Sequence, residues 1–166
     1  RAAVLAGQST EEVVQRMASI FIPYYDAHKC DFTRPYDGIP GMLKTITAAG
    51  VRLAVASNKY QDGAEKLVHH FFGEYDFVRI LGQREGQPIK PDPAIVDQVL
   101  AEVPSVTKSE TVYVGDSNVD MQTGLNAGVR TVGVSWGFRT REELAAYSPS
   151  AIVDTPEELS RVILGA

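Results

Sequence analysis

The chain has 166 residues, 44% of them hydrophobic and 22% charged, which fits a globular protein with a buried core and excludes a fibrous or disordered one. Its net charge of -5, with acidic and basic residues interspersed, leaves no basic surface for nucleic acid, and the single cysteine, Cys30, excludes an internal disulfide and a cysteine-rich metal site. Because the sequence has neither a run of about 18 apolar residues nor a signal-peptide pattern, we expect a cytoplasmic protein that does not bind membranes.

The N-terminal part of the chain is predicted to contain one amphipathic helix. Residues 9–12, Ser-Thr-Glu-Glu, form a capping-box pattern, and apolar residues then recur at helical spacing. Pro23 is expected to kink or end this helix, and the polar segment 28–35 is expected to be a linker. We therefore place a boundary near Arg34 and divide the chain into residues 1–35 and 36–166.

From Tyr36 onward, short apolar strands alternate with amphipathic helices. The strands are predicted at residues 51–56, 77–81, 111–114, 131–134 and 151–153. Turn and capping residues separate them from the helices, as at Gly50, Asp92 and Thr155. This alternation predicts an α/β fold with a doubly wound parallel sheet.

Polar side chains follow three of the predicted strands. Ser57 and Asn58 follow the first, Lys90 lies in the loop after the second, and Asp116 and Asp120 follow the third. Ligands of open α/β sheets bind at the carboxyl ends of the strands, so we expect these side chains to lie close together. A hydroxyl and backbone amides can hold a phosphate, a lysine can neutralise its charge, and two carboxylates suit Mg²⁺.

The two aspartates by themselves have a second interpretation. Asp116 can cap the helix that follows, and Asp120 can be an ordinary acid in its first turn. These two interpretations are equally expected from residues 111–128 alone. Ser57 and Lys90 favour the metal site, because they place phosphate-binding groups at the same edge of the sheet.

In this order the polar residues resemble the motifs of the haloacid dehalogenase-like hydrolase superfamily, in particular its phosphoglycolate phosphatase-like branch. The resemblance covers nearly the whole chain and matches three of the four motifs: Ser57 with Asn58, Lys90 with Pro91 and Asp92, and Gly115, Asp116, Ser117 with Asp120. It implies that residues 36–166 form a Rossmann-like hydrolase core. Residues 1–35 would then be the C-terminal part of a helical cap.

The first motif of the family, Asp-x-Asp, is missing, since no two aspartates lie two positions apart in this sequence. In the family this motif lies on a central strand, between the strands that here end at Ser57 and Asp116, and its first aspartate is the nucleophile. We therefore expect the chain to be a fragment whose core lacks its first strand. By itself it is expected to be poorly stable and inactive.

The resemblance implies that the parent protein is a Mg²⁺-dependent phosphatase that hydrolyses a small phosphomonoester, such as phosphoglycolate, through an aspartyl-phosphate. Ser57 and Asn58 would bind the phosphoryl group, Lys90 would neutralise charge, and Asp116 and Asp120 would hold Mg²⁺. The expected partner is a small phosphorylated metabolite, and the expected state is a monomer or homodimer. The alternatives are a sugar-phosphate mutase or pyrophosphatase of the same fold, or a non-catalytic phosphate-binding module.

Overall fold

The computed structural model describes residues 10–165 and divides the chain after Arg34. The first unit contains helix α1, Glu11–His28, which is capped by Thr10: the Val13 N–H donates to the Thr10 hydroxyl at 3.3 Å. Ser9, part of the predicted capping pattern, lies outside the described residues. That residues 1–35 belong to a cap stays a prediction. None of the helices within residues 10–165 is long and apolar enough to cross a membrane.

Pro23 lies inside helix α1, and the prediction that it ends the helix is wrong. A proline inside a helix removes one backbone donor and its ring crowds the carbonyl four residues earlier, which together cost about 3 kcal/mol or more. One aromatic pair four residues apart spans this position, and a second pair follows it. Phe21 stacks on Tyr25 with ring centroids 5.5 Å apart, and Tyr24 contacts His28 at 4.5 Å. Such contacts between successive turns stabilise the helix beyond the proline.

The second unit, Pro35–Ala166, confirms the predicted alternation of strands and helices. Its elements in chain order are α2 (Ile39–Ala48), β1 (Leu53–Tyr60), α3 (Gln61–Phe72), β2 (Phe77–Gln83), α4 (Ala94–Ala101), a 3₁₀ turn (Lys108–Glu110), β3 (Val112–Gly115), α5 (Asn118–Ala127), β4 (Arg130–Val134), α6 (Arg141–Ala145), β5 (Ala151–Val153) and α7 (Pro156–Leu164). Strand β1 is longer than predicted, since it includes Ser57 and Asn58. The strand pairs that the structure describes, β1 with β2, β3 with β4 and β4 with β5, are parallel.

Helix α5 has a capping residue at each end. Ser117 is the N-cap, and its hydroxyl accepts a hydrogen bond from the Asp120 N–H at 3.3 Å. Gly128 ends the helix with a φ of 68°, a left-handed conformation that favours glycine. Asp116 is therefore not the capping residue, and Asp120 lies in the first helical turn.

The strands form two hydrogen-bonded sheets, one of β1 and β2 and one in the order β3–β4–β5. Within residues 10–165, β1 has only β2 as a ladder partner and β3 has only β4. Parallel strands are usually buried on both faces. Ala54 on β1 is nevertheless exposed to solvent, and Val114 on β3 is 37% exposed. The two strands thus each expose apolar surface.

Two clusters of buried side chains form the core of the second unit. The first joins the two sheets, because it combines Leu81 of β2 and Tyr113 of β3 with residues of α4 and α5. The second lies around β4, β5 and α7 and contains Val132, Val153 and Leu159. The sheets are therefore held together by side-chain packing through the helices.

Leu144 of α6 is completely buried and provides a test of this packing. Truncation by Leu144→Ala leaves a cavity, so we expect the free energy of unfolding of the full-length protein to fall by about 2–5 kcal/mol. Urea titration followed by circular dichroism measures the change. Leu125→Ala, at a position that is 48% exposed on α5, is the control and is expected to cost much less. Equal losses in the two variants would contradict the described core.

Candidate active site

A buried ion pair joins the loop after β2 to helix α5. Lys90 Nζ lies 2.7 Å from Asp120 Oδ1, and the two side chains are only 11% and 10% exposed. The ammonium also donates to the Ala56 carbonyl of β1 at 3.0 Å. Lys90 therefore connects the Ala56 carbonyl of strand β1, in the first sheet, with the Asp120 carboxylate of helix α5, which follows strand β3 of the second sheet.

The Asp120 carboxylate has two further hydrogen-bond donors. The Ser117 hydroxyl donates to Oδ2 at 2.6 Å, and the Tyr113 hydroxyl lies 3.3 Å from Oδ1. Burial raises the pKa of the Tyr113 phenol, and the negative charge of Asp120 raises it further. Tyr113 consequently stays neutral and keeps its proton for this hydrogen bond.

Asn58 contacts the backbone of the same lysine. The Lys90 N–H donates to Asn58 Oδ1 at 2.9 Å, and Asn58 Nδ2 donates to the Lys90 carbonyl at 3.1 Å. Ser57 precedes Asn58, and its hydroxyl accepts a hydrogen bond from the Lys59 N–H at 3.1 Å. The ladder between β1 and β2 is interrupted between Ala56 and Tyr60, so these side chains lie where the strand departs from regular pairing.

The loop after β4 surrounds Asp116. The Phe138 N–H donates to Asp116 Oδ2 at 3.1 Å, and the Arg139 N–H donates to the Asp116 carbonyl at 3.1 Å. A Cβ atom at Gly137 would overlap the Asp116 side chain, so only glycine allows this approach. Oδ2 is thus engaged by the loop, whereas no hydrogen bond from the described residues reaches Oδ1.

The two carboxylates differ in their fit to Mg²⁺. Mg²⁺ is commonly held by one or two carboxylates together with waters and substrate phosphates. Asp116 fits a direct ligand because Oδ1 has no hydrogen-bond partner in residues 10–165, while both oxygens of Asp120 accept hydrogen bonds. No group of three or more His, Cys, Asp or Glu side chains suited to a metal occurs in that part of the chain. The metal assignment of Asp116 and Asp120 stays a prediction.

The structure brings three of the five predicted site residues into direct contact, namely Asn58, Lys90 and Asp120. Ser57 is the chain neighbour of Asn58, and Asp116 is the chain neighbour of Ser117, which donates to Asp120. Among the described residues, no hydrogen bond or ion pair joins the side chain of Ser57 or Asp116 to Lys90 or Asp120.

Sequence reasoning missed several groups at this site. Tyr113 lies in an apolar run that predicts a buried strand, so its hydroxyl was not recognised as part of the site. Phe138 and Arg139 contribute through their backbone N–H groups, which no sequence pattern indicates. Asn126 of α5 donates from Nδ2 to the Pro91 carbonyl at 2.9 Å. It stands six residues after Asp120, a spacing that by itself does not indicate a shared site.

Comparison with known proteins gives consistent matches. A sequence model described as haloacid dehalogenase-like hydrolase matches residues 3–134. A phosphoglycolate phosphatase from Psychrobacter arcticus is 30% identical over 164 residues, which cover 98% of this chain and 70% of that protein. A pyrophosphatase from Halalkalibacterium halodurans is 26% identical over 152 residues, which cover 92% of this chain and 70% of that protein.

A solved structure agrees with these matches. The crystal structure of a candidate phosphoglycolate phosphatase from Lactobacillus delbrueckii subsp. bulgaricus has a TM-score of 0.85 at 37% identity, covering 95% of this chain and 65% of that chain. The chain thus spans 65% of the length of that protein. The matches confirm the predicted α/β fold and the resemblance stated from the motifs.

The buried ion pair makes a testable contribution to stability. Lys90→Met removes the ammonium and leaves Asp120 without its counter-charge, so we expect the free energy of unfolding of the full-length protein to fall by about 3–5 kcal/mol. Urea titration measures the loss. In the control, Lys108→Met removes a half-exposed ion pair with Asp97, in which Nζ and Oδ1 are 3.0 Å apart. That change should cost less than about 1 kcal/mol. If Lys90→Met lowered the free energy of unfolding no more than Lys108→Met does, the described burial of the Lys90–Asp120 ion pair would be contradicted.

The burial of Tyr113 predicts that the protein loses stability as the pH rises into the alkaline range. Its phenol ionises near the ordinary pKa of 10.0 in the unfolded chain but stays neutral when folded, so its contribution is fully present below that pH and is lost as the pH rises above it. Tyr113→Phe lacks this loss. We expect its free energy of unfolding to fall less steeply than that of the wild type from about pH 10 to 11, and to run parallel from about pH 7 to 9. Parallel curves over the whole range would refute the neutral, buried phenol.

Proposed function

This chain belongs to the haloacid dehalogenase-like hydrolase family, and on that premise we propose that the whole protein is a Mg²⁺-dependent phosphatase acting on a small phosphomonoester of the phosphoglycolate type. The observation that supports this most directly is the 2.7 Å ion pair between Lys90 and Asp120. It brings the lysine of one predicted motif onto the acidic residue of another, beside Asn58 of the third. Phosphatases among the relatives agree with the proposal.

Ser57 and Lys90 are proposed to receive the phosphoryl group. The Ser57 hydroxyl and the backbone amides beside it donate to phosphate oxygens, while the Lys90 ammonium neutralises negative charge. An ammonium has three N–H donors. Ala56 and Asp120 accept two hydrogen bonds from Lys90, which leaves a third donor for a phosphate oxygen.

Asp116 and Asp120 are proposed to hold the metal ion. Asp116 would be a direct ligand through Oδ1, because its other oxygen is engaged by the Phe138 N–H. Asp120 would act through a water molecule, because both of its oxygens already accept hydrogen bonds. When bound, Mg²⁺ supplies positive charge that stabilises the phosphoryl group during transfer.

The nucleophile is proposed to come from a segment of the parent protein outside this sequence. Strands β1 and β3 each have one ladder partner among residues 10–165, and both expose apolar residues. A strand carrying the Asp-x-Asp motif would pair with both edges and cover Ala54 and Val114. Its first aspartate would attack phosphorus and displace the alkoxide, which the second aspartate of the motif would protonate to the alcohol. Water would then hydrolyse the aspartyl-phosphate to free phosphate and regenerate the carboxylate.

A pyrophosphatase is the second candidate, because relatives of that name match the chain over similar lengths. A screen of phosphorylated metabolites and inorganic pyrophosphate with the full-length protein separates the two candidate functions.

The cytoplasmic location and the monomeric or homodimeric state stay predictions. Cell fractionation tests the location, and size-exclusion chromatography tests the oligomeric state.

The metal assignment is tested in the full-length protein with p-nitrophenyl phosphate. Asp116→Ala is expected to lower Mg²⁺-dependent hydrolysis by about 100-fold or more, because the charge on the phosphoryl group is then left without its stabilising ion. Asp97→Asn, on the exposed side of α4, is the control and should retain wild-type activity. Thermal melts verify that both variants are folded. Retained activity in a folded Asp116→Ala protein would overturn the metal assignment.

A further inference from the structure

We infer that Asn58 is a positioning residue for Lys90 and that its side chain is not a ligand of the phosphate. The inference rests on the proposed function, in which Lys90 acts on the phosphoryl group. It divides the predicted pair of phosphate-binding residues into two roles: Ser57 offers its hydroxyl to the phosphate, while the Asn58 side chain fixes the lysine of the site.

The carboxamide of Asn58 closes a ring of two hydrogen bonds with a single residue. It accepts from the Lys90 N–H at 2.9 Å and donates to the Lys90 carbonyl at 3.1 Å. Lys90 lies between β2 and α4, outside any strand, so no ladder supplies partners for its backbone. One side chain therefore satisfies both backbone groups of Lys90, using one N–H of Nδ2 and one lone pair of Oδ1, and the edge of its amide faces the Lys90 backbone.

The chemistry of this contact requires an amide. Asparagine presents a donor and an acceptor side by side, whereas an aspartate accepts only and a serine offers one shorter hydroxyl. Replacement by aspartate would keep the bond from the Lys90 N–H and place a carboxylate oxygen opposite the Lys90 carbonyl. Asn58 is thus matched to the backbone that it contacts.

A second asparagine fixes the same segment from the opposite element. Asn126 of α5 donates to the Pro91 carbonyl at 2.9 Å. Strand β1 thus supplies the Asn58 side chain, which contacts the Lys90 backbone, and the Ala56 carbonyl, which accepts from the ammonium. Helix α5 supplies Asn126, which contacts the Pro91 backbone, and Asp120, which accepts from the ammonium. The segment is held at its backbone and at the tip of its lysine by both elements.

This double fixation has a physical reason. The lysine side chain is a flexible four-carbon stem with much rotamer freedom, so its ammonium is placed accurately only if the backbone and the tip are both fixed. Nζ meets two acceptors, at 2.7 and 3.0 Å. A shift of the Lys90 backbone would carry the ammonium away from at least one of them and from the proposed phosphate position.

The first test measures the accessibility of the lysine and does not depend on catalysis. Trace acetylation of the full-length protein with acetic anhydride, read by mass spectrometry, gives the rate at Lys90 relative to exposed Lys108. We expect Asn58→Ala to raise this ratio about tenfold, as the loss of two hydrogen bonds implies. Ser160→Ala, which removes the buried hydroxyl that donates to the Pro156 carbonyl at 3.1 Å in α7, is the matched control and should leave the ratio unchanged.

The second test is a double-mutant cycle on hydrolysis of p-nitrophenyl phosphate. Asn58→Ala is expected to lower kcat/KM about 100-fold in the wild-type background, since the ammonium is misplaced. In the Lys90→Ala background the same change should alter kcat/KM by no more than about twofold, because Asn58 acts through the absent lysine. An equal effect in both backgrounds would show that Asn58 acts independently of Lys90 and would overturn the inference.

The two tests separate the inference from the function on which it rests. If the full-length protein hydrolyses no phosphate ester, the proposed function fails and the acetylation ratio alone decides the role of Asn58. An unchanged ratio in a folded Asn58→Ala protein overturns the inference whether or not the protein is a phosphatase. Asn58→Asp provides a second variant if Asn58→Ala does not fold: it keeps the bond from the Lys90 N–H and loses the one to the Lys90 carbonyl, so a rise in the same ratio is expected, and an unchanged ratio would overturn the inference.

Discussion

The ion pair between Lys90 and Asp120 determines how the second unit must be arranged around it. Removing two charges from water costs several kcal/mol for each ion, and the cost is offset only when both ions retain good partners. Here the Ala56 carbonyl, the Ser117 hydroxyl and the Tyr113 hydroxyl provide them. These groups belong to β1, to the cap of α5 and to β3, so three elements have to meet at one point.

The same contacts explain how two separately hydrogen-bonded sheets can carry one site. No backbone ladder joins β1 to β3 within residues 10–165. The sheets are related through a shared core, in which Leu81 and Tyr113 pack with α4 and α5, and through the side chain of Lys90. Among residues 10–165, the spacing between Ser57 and Asp116 is therefore set by side-chain packing, by the ion pair of Lys90 and by the hydrogen bonds of Asn58 and Asn126.

The fold, and the proximity of Asn58, Lys90 and Asp120, could be predicted from the sequence because they follow from local patterns and from the order of the strands. Strand alternation and helix caps are encoded within a few residues, and the strand-end rule then places Ser57, Lys90 and Asp116 at one edge. Contacts between distant residues could not be predicted. Asn126 bonds to a carbonyl 35 positions away, and Phe138 reaches Asp116 over 22 positions through its backbone, which every residue type possesses. The prediction that the helix ends at Pro23 is wrong for a different, local reason, since contacts between neighbouring turns such as Phe21 with Tyr25 stabilise the helix past the proline.

Gly115 and Gly137 lie in close contact with the side chains of Asp120 and Asp116, respectively. A Cβ atom at Gly115 would overlap Asp120, just as one at Gly137 would overlap Asp116. A related chain could retain both aspartates and yet, with alanine at either glycine, lack the room that holds their carboxylates in place. When homologous sequences are sorted into competent and degenerate members, positions 115 and 137 should therefore be inspected together with the acidic pair.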